Sequence, residues 1–501
     1  MTLNRIARWV ATGLAAGAAW LAFSAPAEAI PLFARQTGQY CAACHISFPE
    51  LTAYGREFKL NGYTFGEGQP FPAAVAFMAE YGGIANNTDH NPASSGVVCP
   101  SCDKTELVQW SIFFGGKLAE NLGMFGQYTF SGAPFDNTSD AWQGAEDNTE
   151  VRYVHRFSSG WGGTLEPDTV VGIDVNNNAT MQDVWNAVPQ WKFPWFPYGA
   201  GTHPQVGFGP AAVTYLDGAD VQGTTGPQRS FGLGVYGWWH KTVYAELTFY
   251  HSPWGMMSWF VNGSNASTGV TGAPNDAASD IIDSWAPYYR LAYSKDWGYS
   301  SAEVGLFGTY AKTFFCNPTS GTICNAAGNS VTDKYHDFGI DYQYQYNRGE
   351  PWVFATSGSW IHENKDLTPF VNATTYGLPA PLASNPSDTV NEYNIRATAY
   401  YDRKYGATLG WSMYSGSNDP ILYGQGINCG GTNGASGGSC SGSPTSQWWT
   451  LELNYLPLQN MRFSAAYFYY TKLNGGNDNF DGYGNNAGGQ NMFYAAIWWA
   501  F

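Results

Sequence analysis

The chain has 501 residues, and 23 Lys+Arg against 39 Asp+Glu give a formal net charge of −16, which argues against nucleic acid as a partner and favours small cations. Charged residues make up 12% and aromatic residues 17%, with 60 Gly; a soluble protein carries about twice that charge, and a helical membrane protein shows apolar runs of about 20 residues. With both classes set aside, a transmembrane β-barrel remains, because its strands conceal apolar surface by alternating it.

Residues 1–29 read as a secretory leader. Arg5 and Arg8 form a positive start, Val10 to Phe23 an apolar stretch, and Ala27-Glu28-Ala29 a small-x-small cleavage site. Cys41-Ala42-Ala43-Cys44-His45 follows. This is the attachment pattern of one covalently bound haem c: two thiols for the thioethers and an adjacent His for the iron. With eight Cys and eight His in the chain, chance supplies roughly 0.002 such pentapeptides. A zinc half-site or a redox dithiol is the plain alternative.

Residues 30–70 are too short to bury a haem in a core of their own, since domains below about 40 residues usually need outside support. They are expected to form a small α-helical monohaem cytochrome c plug that borrows its walls from the barrel lumen. Ser47 and Glu50 read as a capping box, with Pro49 in the first turn and Gly62 after the last. Leu51, Tyr54 and Phe58 share a face, and Gly55 inside the helix signals a close approach to porphyrin or wall. Arg35, Arg56 and Lys59 are candidate partners for haem propionates, because Arg forks match carboxylates. Salt bridges to the lumen wall are the alternative for all three.

Residues 71–501 read as the outer-membrane barrel. Trp449, Leu451, Leu453 and Tyr455 alternate with Thr450, Glu452 and Asn454, and Tyr393 to Tyr401 and Ala407 to Met413 repeat the pattern. A period of two sends one set to lipid and the other to the lumen. Short turns near 120–123, 158–167, 240–242, 296–300, 347–351, 402–406 and 456–460 interleave with long Gly/Ser/Asn-rich segments. That gives sixteen antiparallel strands, or eighteen if Ala211–Leu216 adds a pair. Phe493, Ala495, Ile497, Trp499 and Phe501 form a last strand ending on an aromatic. In the loop 177–228, the Trp185–Tyr198 cluster either folds inward over the haem or stays solvated. Cys99/Cys102, Cys316/Cys324 and Cys429/Cys440 fall as three loop pairs, expected as disulfides in an oxidising compartment. For Cys99/Cys102 a redox or metal role is the alternative. Opposite His45, the sixth iron ligand is open between Met78 of the first strand, a lumenal His such as His240 or His90, and an open site. A thioether ligand raises haem potential.

Phe33-Ala34-Arg35-Gln36-Thr37-Gly38, the haem motif, Phe48-Pro49-Glu50-Leu51-Thr52, Gly55-Arg56, Phe58-Lys59 and Gly62-Tyr63 resemble the fused outer-membrane cytochrome c–porin family. That family includes the outer-membrane monohaem cytochrome of iron-oxidising bacteria. The likeness covers Phe33–Tyr63; Ala53-Tyr54 departs from the Pro-Phe expected there. The resemblance implies a single-haem plug in a sixteen-stranded barrel, taking electrons from extracellular Fe(II) and passing them to a periplasmic cytochrome or other acceptor. An electron conduit for another donor, or a porin whose haem is structural or sensory, are the rival readings.

Overall fold

The structure is a computed structural model describing residues 32–47, 50–68, 75–86, 104–131, 143–160, 163, 166–177, 181–187, 230–251, 281–282, 284–315, 331–348, 351–376, 380–423, 441–480 and 486–500. The N-terminal part is short-element chain: α1 (Leu32–Thr37), α2 (Cys41–Cys44), the two-stranded β1 (His45–Ser47) and β2 (Glu50–Leu51), and α3 (Ala53–Leu60). The strands that follow are β3 (Val75–Asn86), β4 (Lys104–Ala119), β5 (Leu122–Ser131), β6 (Gln143–Phe157), β7 (Thr169–Asn176), β8 (Phe231–Trp239) and β9 (Val243–His251). Next come β10 (Ile281–Ile282), β11 (Ala286–Trp297), β12 (Ser300–Phe315), β13 (Val331–Asn347), β14 (Trp352–Asp366) and β15 (Ser387–Tyr401). Last are β16 (Tyr405–Gly416), β17 (Ser446–Leu458), β18 (Met461–Lys472) and β19 (Met492–Ala500).

From β3 onward they form one 17-stranded sheet of sequence neighbours, in which β19 pairs β3 and β11 pairs β9. Among the described residues every strand of this sheet except the two-residue β10 is paired on both flanks, the condition for strands that pass through lipid. β10 has two residues and pairs β12, the neighbour that β11 also pairs; the sequence reading gives sixteen strands, and Ala211–Leu216 lies outside the described residues. The alternation is visible as burial. Leu451 and Leu453 are 47% and 54% exposed, whereas Glu452 between them is 1% exposed, so apolar side chains face outward and polar ones the lumen. Tight turns fall where the sequence marks them, and His240-Lys241 and Asp402-Arg403 adopt the paired positive φ that a two-residue hairpin needs.

The N-terminal segment sits inside this cylinder at the end bearing the short turns. Its hydrogen-bonding and ionic partners include Lys117, Arg156, Lys241, Asp296 and Arg403, all at or beside those turns. Leu60 joins an apolar cluster with Val154, Val170, Tyr236 and Trp238 of the wall, and Ile46 one with Val353, Ala355 and Tyr400. Wall side chains thus complete the core that this segment is too short to build.

Candidate functional site: a Cys-x-x-Cys-His turn clamped in the barrel

α2 is a single helical turn, opened by Tyr40, whose carbonyl accepts from Ala43 N at 2.9 Å. His45 leaves it in extended conformation (φ −126°, ψ 136°). Cys41 and Cys44 are free thiols, not bonded to each other, and both are half-buried. Burial pushes both thiols up, and for Cys44 the neighbouring Cys41 adds to it, reaching about 11. A reactive redox dithiol depends on a lowered thiol pKa, and burial here acts in the opposite direction.

The turn rests on the start of α3. Thr52, not Ser47, caps that helix: its Oγ1 accepts from Gly55 N at 3.1 Å. The expected capping box is replaced because Ser47 and Glu50 pair across β1 and β2, while Pro49 lies outside the described residues. The Thr52 hydroxyl donates to Ala43 O, and Thr52 N donates to Cys44 O at 2.9 Å. Gly55 makes the expected close approach, but to the backbone of the Cys41–Cys44 turn: an added Cβ would press into Cys44 O and lie 3.0 Å from its carbonyl carbon. The far end follows the sequence. Gly62 (φ +66°) donates to Lys59 O and Tyr63 N to Phe58 O, the Schellman pair of bonds.

Around this seat the plug is tied to the wall. Arg56 is 3% exposed. Its Nη1 donates to Leu51 O (2.9 Å), Gln343 Oε1 (2.9 Å) and Gln345 Oε1 (3.1 Å), its Nη2 donates to Ser301 Oγ, and Asp296 stands 3.8 Å away. Glu50 accepts from Gln345 (3.1 Å) and pairs with Arg396 (3.3 Å). Lys59 donates to Met181 O and lies 3.7 Å from Glu150, which also takes the Tyr63 hydroxyl and the Arg152 guanidinium (2.7 Å). For Arg56 and Lys59, therefore, the wall-tie alternative describes the geometry. Arg35 lies half-buried on α1, its guanidinium pulled down by burial. Two further ties carry no sequence signal: Tyr236 OH donates to Leu60 O at 2.6 Å, and Arg403 Nη1 donates to Ala42 O at 3.2 Å. Only the three-dimensional closure of the barrel brings those residues to the plug.

The remaining candidates separate. Met78 stands in β3 in register with Ser111 and Ala500; its side chain lies outside the described residues. So do His90, Phe501 and the six loop cysteines. His240 sits in the β8–β9 turn with Asp168 3.4 Å from its Nδ1. The start of the loop 177–228 folds inward: Trp185 is 3% exposed, edge-on to Tyr244 at 5.2 Å and 5.0 Å under the Arg290 guanidinium. Asp183 secures it by accepting from Trp185 N and Ala187 N (2.9 and 2.7 Å).

No family model matches the chain, and no curated protein matches it. Among solved structures it is similar to the outer membrane channel DcaP of Acinetobacter baumannii, with 12% identity over 87% of this chain and 99% of that one and a TM-score of 0.42. It is also similar to Salmonella typhi OmpF in complex with daunomycin (10% identity, 85% and 97% covered, TM-score 0.41). A third is the anion-selective porin from Comamonas acidovorans (10% identity, 85% and 98% covered, TM-score 0.39).

Proposed function

We propose that the chain is an outer-membrane monohaem c-type cytochrome that oxidises extracellular Fe(II) and passes the electrons to a periplasmic cytochrome. The observation that carries this is the Cys41–His45 turn, fixed inside a closed barrel and at its short-turn end. A closed antiparallel sheet with an apolar exterior belongs in the bacterial outer membrane, where short turns face the periplasm. Cys41 and Cys44 would hold the haem and His45 would ligate its iron, with Arg35 the candidate partner for a propionate and Met78 the candidate for a further iron ligand. When bound, the haem supplies one-electron chemistry whose potential is set by ligand and burial. The chain's own residues do the rest. Arg56, Glu50, Lys59 and Tyr63 hold the plug in the lumen, and the apolar clusters around Ile46 and Leu60 exclude water. The short-turn position favours an acceptor docking directly beneath the haem turn, with the donor's electron arriving through the lumen.

Oxidising Fe(II) at the cell surface keeps the product outside, since Fe(III) precipitates readily, and an electron-only crossing answers that need. The test is optical: the purified, oxidised protein mixed anaerobically with Fe(II) should show the reduced haem spectrum. A haem reducible by dithionite but inert to Fe(II) would instead favour a conduit for another donor. The rival porin reading shares the barrel, and free ion conductance in planar bilayers would support it.

A further inference from the structure

We infer that Arg403, on the β15–β16 turn of the barrel, is a haem-site residue that fixes the Cys-x-x-Cys turn and raises the potential of the haem it carries. The inference rests on the haem-bearing reading above. Arg403 Nη1 donates to the carbonyl of Ala42, which lies between the two cysteines, at 3.2 Å, and its Nη2 donates to Asn347 Oδ1, a neutral amide, on the neighbouring turn. The backbone of the turn presents the side chain in this direction, since Asp402 and Arg403 both hold positive φ (50° and 53°). A barrel cation thus contacts the segment that carries both thioether positions, whereas Arg56 is spent on Gln343, Gln345 and Ser301. A guanidinium stays charged at any working pH, and a fixed positive charge beside a haem favours the reduced iron, which carries one positive charge fewer. An acceptor of electrons from Fe(II) needs that bias.

The experiment is a redox titration of the full-length haem-loaded protein beside Arg403→Gln, Arg403→Lys and Lys404→Gln. Lys404 is the exposed neighbouring cation of the same turn. Arg403→Gln should shift the oxidation equilibrium about tenfold toward Fe(III), or 59 mV downward for one electron. Arg403→Lys should recover most of that shift, and Lys404→Gln should leave the potential unchanged. Equal potentials in wild type and Arg403→Gln, with intact barrel by protease resistance, overturn the inference, as does an equal drop in Lys404→Gln. If Arg403→Gln does not fold, Arg403→Lys decides alone: a drop as large as loss of the charge predicts would overturn it, and a near-wild-type potential supports it. A wild type with no attached haem sinks the reading of function instead, so the two failures are distinct.

Discussion

Gly55→Ala is the sharpest perturbation of the seat of the Cys41–Cys44 turn because two physical arguments give it opposite signs. Helix propensity alone says that Ala gains about 1 kcal/mol over Gly inside a helix. The packing says otherwise. The new methyl would overlap Cys44 O and stand 3.0 and 3.1 Å from Cys44 C and Cα, all backbone atoms with no flexible end to yield. Relief requires the Cys41–Cys44 turn to retreat from α3, which breaks the bonds from Thr52 N to Cys44 O and from the Thr52 hydroxyl to Ala43 O. Two hydrogen bonds and the lost packing amount to about 3 kcal/mol. Subtracting the propensity gain leaves a local loss of about 2 kcal/mol, or about a 30-fold factor. Hydrogen exchange of the full chain reads this directly, because the amides of Thr52, Gly55 and Arg56 are bonded within the seat and report local opening. Their protection should fall about 30-fold in Gly55→Ala, with β13 and β14 unaffected. Protection equal to or above wild type would refute the close approach.

Arg56→Met should cost the plug about 3 kcal/mol, because it leaves Gln343, Gln345 and Ser301 buried without their donor; limited proteolysis should then release the N-terminal segment while the barrel stays resistant. In protein carrying free thiols, alkylation of Cys44 should rise steadily with pH toward about 11, because its thiol is raised and the thiolate is the reactive form; a plateau near pH 9 would contradict the burial that raises it. Asp183→Ala should loosen the inward loop by about 2 kcal/mol through the lost caps on Trp185 and Ala187, seen as a red-shifted Trp emission. In planar bilayers the full chain should conduct far less than a plug-loosened Arg56→Met barrel.

Much of this architecture is legible in the chain because its causes are local. Alternation in Thr450–Tyr455 fixes which face meets lipid, the hairpin turns announce themselves, and Gly62 marks the end of α3. The start of α3 is not legible in the same way. Ser47 and Glu50 have the spacing of a capping box, but Glu50 is drawn to Gln345 and Arg396, partners some three hundred residues distant, and Thr52 takes the cap. Gly55 reveals that something comes close without revealing what. Arg56 is ambiguous between propionate and wall because both offer oxygen acceptors, and only barrel closure supplies Ser301, Gln343 and Gln345. Arg403 has no signal at all, since a turn Arg is ordinary until the plug's Ala42 lies against it.

The claim underneath all of this is that Cys41 and Cys44 carry a haem within the barrel. Intact mass of the full-length protein, purified from the outer membrane of a host competent in c-type haem maturation, measures it most directly. The expected mass is the processed chain plus one haem, an adduct lost in Cys41→Ser with Cys44→Ser. A processed chain of unadorned mass, with both thiols free to alkylation, would contradict it.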